Sequence, residues 1–76
     1  MVEEIIKGDI DGDHRITKVD LLLLQKYIIK EISFDERQLI AADVNNDGKA
    51  SVMDMVAIVG HLTGREILTE VVEYEI

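Results

Sequence analysis

The sequence has no cysteine, no proline and no tryptophan, only three aromatic residues, and half as many basic residues (8) as acidic ones (16). Without cysteine, no disulfide can staple the fold, and at 76 residues a hydrophobic core alone is marginal. The lack of cysteine fits any redox compartment. The shortage of bases leaves a net charge of −8, which argues against a nucleic-acid partner, because phosphate backbones are held by Lys and Arg. No apolar run reaches the roughly 18 residues needed to span a bilayer, so no membrane insertion is expected. The first residues, Met1-Val2-Glu3-Glu4, are acidic rather than basic, which is not the start of a signal peptide. Two readings are compatible with this, an intracellular protein or a module of a longer secreted one, and the module reading is preferred. Either way the length allows one domain at most.

The acidic residues are concentrated in two loops whose first positions lie 34 residues apart. Loop 1 runs from Asp9 to Asp20, DIDGDHRITKVD, and loop 2 from Asp43 to Asp54, DVNNDGKASVMD. Oxygen-bearing side chains recur at positions 1, 3, 5, 9 and 12 of both, which is the ligand spacing of a twelve-residue calcium loop. Ca²⁺ takes 6–8 oxygens, and odd spacing in a tight loop aims successive side chains at one centre. The expected ligands in loop 1 are the side chains of Asp9, Asp11 and Asp13, the carbonyl of Arg15, a water held by Thr17, and Asp20. In loop 2 the same roles fall to Asp43, Asn45, Asp47, the carbonyl of Lys49, Ser51 and Asp54. Two Ca²⁺ would bring the charge from −8 to −4. Mg²⁺ fits less well because it prefers a shorter octahedral shell, and Zn²⁺ would require His or Cys at ligand spacing. A solvated Asp/Asn-rich turn would explain one such loop, but not two in register, each followed by an apolar helix. Two departures stand out: position 12 is Asp rather than Glu, and loop 1 has His14 where Gly is expected.

The rest of the chain organises around the loops. Leu21 to Lys30 reads as a helix that starts near Thr17 or Lys18. Its four-leucine run covers every side of a helix, so one or two of those leucines must be exposed or in an interface. Ser33 and Glu36 form a capping box that predicts a short helix through Ala42, with Leu39 and Ile40 facing inward. Val52 to Leu62 reads as a third helix with Gly64 as its C-cap. Residues 1–8 are a lead-in, 9–30 the first repeat, 33–42 a linker helix, 43–64 the second repeat and 65–76 a tail. The alternation in Val71–Ile76 makes the tail either a strand, pairing with Val2–Ile6, or a linker. Tyr27 is expected in partly buried core, and His61 at a helix surface.

A standard EF-hand has a helix before its loop, and the eight residues ahead of Asp9 are too few for one. Here the chain resembles the dockerin modules. Gly8-Asp9-Ile10-Asp11-Gly12-Asp13 with Asp20-Leu21-Leu22-Leu23-Leu24-Gln25-Lys26-Tyr27 is similar to a first dockerin repeat. Ala42-Asp43-Val44-Asn45-Asn46-Asp47-Gly48 with Asp54 is similar to a second. Asp at position 12 is the habit of that family. The resemblance covers about residues 8–64 and implies an all-α, three-helix module with two loop–helix repeats and two Ca²⁺. It implies a non-catalytic, monomeric domain that docks onto a cohesin domain of a scaffold or cell-surface protein, as in bacterial cellulosomes. The implied setting is extracellular or at the cell surface. Partner choice in the family is carried by loop positions 10 and 11 and by positions further along the helices. Here these are Lys18, Val19, Leu22, Gln25, Lys26 and Lys30 in the first repeat, and Val52, Met53, Val56, Val59 and Gly60 in the second. The first set is basic and amphipathic and the second apolar, which predicts a single binding orientation.

Two other functions compete. An EF-hand-type calcium sensor or buffer would bind a target helix through a groove that opens with Ca²⁺, and the missing entering helix argues against it. A hydrolase would need a substrate pocket that the chain has little room for, and each acid has a better role as a metal ligand.

Overall fold

In the computed structural model, which describes residues 1–75, both repeats begin their helices at the last turn of the loop. Helix α1 spans Lys18–Ile28 and α3 spans Val52–Leu62. The N-caps are Thr17 and Ser51, both in extended backbone, and the residue three positions on is Asp20 or Asp54. Each Asp takes the backbone N–H of its N-cap at 2.7 Å, which satisfies a donor that a helix start leaves unpaired. Helix α1 ends at Ile28, two residues earlier than the sequence implies. Ile29 is its C-cap, and Lys30 lies beyond it at φ 66°. Gly64, the counterpart of Lys30 34 residues on, takes φ 78° after Thr63, so the predicted glycine stop is found.

Helix α2 spans Glu36–Ala42 and starts later than predicted. Its N-cap is Asp35, whose Oδ1 accepts from Gln38 N–H at 2.8 Å, while Gln38 Oε1 accepts from Asp35 N–H at 3.1 Å. Two capping boxes overlap in this stretch, Ser33 with Glu36 and Asp35 with Gln38. The second prevails, and Phe34 is held outside the helix by stacking on Tyr27 with ring centroids 4.3 Å apart. The expected inward residues are also corrected. Leu39 is exposed and Ile40 half-buried, while Ala41 and Ala42 are fully buried. Small residues let the helix backbone approach the first loop closely enough for Gly8 N–H to reach the Ala41 carbonyl at 2.8 Å.

The two ends of the chain meet. Strand β1 (Val2–Ile6) pairs antiparallel with β2 (Val71–Glu75), with Val2 opposite Glu75 and Ile6 opposite Val71. The lead-in and the tail thus form a two-stranded ribbon added to an otherwise all-α, three-helix fold. Of the two readings of the tail, the strand is the one found. The ribbon's inner face carries Glu3, Ile5, Val72 and Tyr74. It is fastened to α2 by a Glu3–Arg37 ion pair and by Tyr74 Oη donating to Glu36 at 2.8 Å. Helices α1 and α3 pack on each other, and the core joins Ile5, Ile10, Leu24, Ala41, Ala42, Val44 and Ile58. Full burial of the Leu or Ile side chains contributes about 1.5–3 kcal/mol each. Leu24 and Ile58 are equivalent positions in the two repeats, so the core is itself duplicated. Of the leucine run, Leu24 is buried, Leu21 and Leu23 are half-buried, and Leu22 is exposed, as a helix surface requires.

Candidate functional site

The two loops close around oxygen atoms. In loop 1, carboxylate oxygens of Asp9, Asp11, Asp13 and Asp20 lie within 4.8 Å of one another. In loop 2 the same holds for Asp43, Asp47 and Asp54, with Asn45 between them in sequence. Backbone donors aim these side chains. Asp9 Oδ1 accepts from Gly12 and Asp13 N–H, and its Oδ2 from His14 N–H at 2.9 Å. Asp43 repeats the pattern with Asp47 N–H and Gly48 N–H, each at 3.0 Å. Asp13 and Asp47 take the N–H two residues on, from Arg15 and Lys49. Asn45 Oδ1 accepts from Asp47 N–H at 3.3 Å. The turn that allows this needs positive φ at position 6. Gly48 supplies it at 88° in loop 2, and His14 takes it at 68° in loop 1 despite its side chain.

The position-12 aspartates do more than the spacing foretold. Asp20 is fully buried, and its Oδ1 accepts from Ile10 N–H at 2.8 Å and Asp11 N–H at 3.1 Å, while Oδ2 holds Thr17 N–H. Asp54 makes the equivalent bonds to Val44, Asn45 and Ser51. Each carboxylate therefore ties the start of its loop to the end. Three backbone hydrogen bonds hold each of these carboxylates in place at the end of its loop. Thr17, expected to hold a water, has its hydroxyl oxygen accepting from Val19 N–H as a helix cap. Arg15 and Lys49 present their N–H groups to the loop acids, and their carbonyls are assigned by spacing alone.

The donor set suits a hard cation. Every side-chain donor is oxygen, and among the described residues none of these acids pairs with a base; the salt bridge runs from Arg37 to Glu3. The crowding shows in the acidities. Burial pushes Asp9 up to about 6, and its hydrogen bond with Asp11 adds to the shift, against the pull of His14 N–H. Burial alone would raise Asp11 too, but its bonds with Asp9 and Asp13 hold it below the usual value. Burial also raises Asp20, against the N–H groups it accepts from. Asp47 is lowered by the Lys49 N–H.

Because Asp9 must be ionised to ligate, calcium affinity at loop 1 is expected to fall about tenfold per pH unit below pH about 6. Loop 2, whose Asp47 is lowered, should change little between pH 7 and 5. Site-resolved calcium titrations at the two pH values measure this, and equal losses at both loops would refute it. Without the ion the sign reverses. The folded chain holds a proton on Asp9 that the unfolded chain releases near 3.8, so this group's contribution is fully present below 3.8. It is lost as pH rises through about 6.

Away from the loops, α3 carries an apolar stripe. Val52, Met53, Val56 and Val59 are exposed (Met53 at 61 %), and they line a groove of about 650 Å³ walled by Arg65 and Glu66. Met55 lies inward against the core. Gly60 is half-buried in the groove wall, where its carbonyl accepts from Arg65 N–H at 2.8 Å as the chain turns back. On α1, Lys18, Val19, Leu22 and Gln25 are exposed, Lys26 is half-buried, and Lys30 is exposed past the helix end. His61 is half-buried, with Nδ1 accepting from Leu68 N–H at 2.9 Å. That bond, the buried Lys7 ammonium on the Asp43 carbonyl at 2.9 Å, and Asn46 Nδ2 on the Glu70 carboxylate at 3.0 Å have no signature in the sequence, because each joins the ribbon or its approach to a distant element.

A paired loop–helix module with oxygen-lined loops and no entering helix before the first is a docking-module architecture rather than a sensor's. The chain matches the dockerin type I domain over residues 7–63 and belongs to that family. Dockerin type I domains bind calcium and are non-catalytic. The chain is 37 % identical over 62 residues to a multidomain esterase of Ruminococcus flavefaciens, a match covering 82 % of this chain and 8 % of the esterase. Its fold is similar to the ScaB dockerin of Acetivibrio cellulolyticus, with a substitution in the N-terminal helix, in complex with the third cohesin of ScaC. There the TM-score is 0.78 at 30 % identity, covering 86 % of this chain and 92 % of that one. It is also similar to a Cel5 dockerin mutant in complex with the sixth cohesin of scaffoldin B from the same organism. That match has a TM-score of 0.76 at 26 % identity and covers 84 % and 98 % of the two chains.

Proposed function

We propose that this domain is a calcium-dependent docking module that carries two Ca²⁺, one in each loop, and seats a cohesin domain against its helices. The observation that carries the reading is the pairing of two metal-type loops with an unpartnered apolar stripe on a helix that one of them starts. A small acidic domain gains nothing by exposing four large apolar residues in a row unless a protein covers them. Solved relatives of similar fold are held by cohesins. The ligands are the loop residues named above, with Arg15 and Lys49 contributing carbonyls and Thr17 and Ser51 standing at position 9. The domain works as a monomer, outside the cell or at its surface, within a polypeptide that bears other activities, as the esterase relative does. A sensor reading finds no support: residues 2–6 form a strand, so loop 1 has no entering helix to move.

The two helix faces differ, and α3 is the face that the partner covers. Val56→Glu and Met53→Glu should each weaken cohesin binding at least about thirtyfold, the effect of losing a buried anchor. Leu22→Glu on α1 should cost less than about threefold, as a residue at the polar rim does. Calorimetry against a panel of cohesins, with calcium and with EDTA, decides the matter. No calcium-dependent partner in the panel would sink the docking reading. A partner lost through Leu22→Glu and kept through Val56→Glu would sink the choice of face.

A further inference from the structure

Lys7 is 4 % exposed, although it belongs to neither ligand set. Burying a lysine costs rotamer freedom and hydration, so the contacts it makes must compensate. Its ammonium donates to the carbonyl of Asp43, and its backbone N–H donates to the carbonyl of Glu70, each at 2.9 Å. The Glu70 carboxylate in turn accepts from Asn46 Nδ2. Positions 1 and 4 of loop 2 are thus held by one residue just after β1 and one just before β2. Asp43 is also the C-cap of α2, where a cation meets carbonyls at the negative end of the helix.

Among the described residues no side chain from outside grips position 1 of loop 1; the Asp9 N–H donates instead to the Ile6 carbonyl, three residues back at the end of β1, at 2.9 Å. Asp9 is buried and its carboxylate accepts three backbone N–H groups, whereas Asp43 is half-buried and accepts two. The second loop is the less self-organised of the pair. Fixing the Asp43 backbone from outside fixes the direction of the carboxylate at its position 1. We infer that Lys7 and Glu70 are positioning residues for calcium at loop 2, so that closing the terminal ribbon raises the affinity of the second loop more than that of the first. By reciprocity, calcium in loop 2 holds the ribbon closed. This inference rests on the reading of both loops as calcium sites.

The test uses the full chain and calcium itself, titrated against a competing chelator and followed by amide NMR. Gly12 and Gly48 report the two loops separately, because each donates its N–H to the position-1 carboxylate of its own loop. Lys7→Met should weaken calcium binding at Gly48 about tenfold and at Gly12 less than about threefold, as loss of one charge-assisted hydrogen bond predicts. Glu70→Ala should weaken loop 2 about threefold, and Glu70→Gln should restore it, because the amide oxygen still accepts from Asn46. Equal weakening at both loops, or none at loop 2, overturns the inference. If Lys7→Met gives no dispersed spectrum even in saturating calcium, the two Glu70 variants decide on the same criterion. A wild type whose Gly12 and Gly48 amides both ignore calcium overturns the calcium reading itself, a different result from a wild type that titrates like its variants.

Discussion

Excess EDTA is expected to strip most of the tertiary structure from this domain, with collapse of amide dispersion and of near-ultraviolet circular dichroism. The reason is the imbalance of charge in the loops. Seven aspartates converge in two clusters without a basic partner, and burial already pushes Asp9 to about 6. A ligand present at about 100 times its Kd stabilises the folded state by about 2.7 kcal/mol per site. Two sites then supply about 5 kcal/mol, comparable to the whole stability of a small domain. No disulfide substitutes for them, and among the described residues the core has four fully buried large aliphatic side chains, Ile5, Ile10, Leu24 and Ile58. Spectra unchanged by the chelator would refute metal-coupled folding.

Asp20→Ala is expected to be the most damaging single substitution in loop 1, beyond Asp13→Ala at a more exposed ligand. It removes a ligand and at the same time leaves the N–H groups of Ile10, Asp11 and Thr17 without their acceptor. An orphaned donor that is shielded from water costs about 1–3 kcal/mol, and the Ile10 N–H is buried while the other two are partly so, so a loss of about 2 kcal/mol or more is expected. Chemical denaturation in saturating calcium measures that loss, and calorimetry should show one calcium fewer bound than by the wild type. A denaturation midpoint equal to that of the wild type would show that the carboxylate ligates without holding the loop. Asp54→Ala should behave alike in loop 2, where the same three bonds recur.

Much of this was legible in the sequence because it is local. The duplicated acids, the helix starts at Lys18 and Val52 and the stop at Gly64 all depend on residues within a few positions of each other. The second role of Asp20 and Asp54 was hidden because a ligand at position 12 and a capping residue three beyond Thr17 or Ser51 are the same residue, and spacing alone reports only one use. The start of α2 was misjudged where two capping boxes overlap, and what separates them is a stacking contact between Phe34 and Tyr27 that no short motif encodes. The alternation in the tail offered the ribbon only as one of two readings, because its partner strand lies at the other end of the chain, and the grip of Lys7 on Asp43, 36 residues away, has no local signal at all. Duplication made the loops easy to read, and aligning the two copies also brought out what differs between them, the apolar stripe on α3 against the mixed face of α1.

The ribbon also fixes how the domain meets mechanical load. Its strands are antiparallel, and Val2 lies opposite Glu75 at the outermost rung. A pull that separates the two termini is therefore applied to one rung at a time, as in a zipper, and not to all of them together in shear. The outward pair Glu4 and Glu73 places like charges across the ladder and eases its opening further. Tension along a parent polypeptide would open this ribbon first, and the calcium loops and the α3 stripe, which lie inside it in sequence, would feel the load only after the ends had parted.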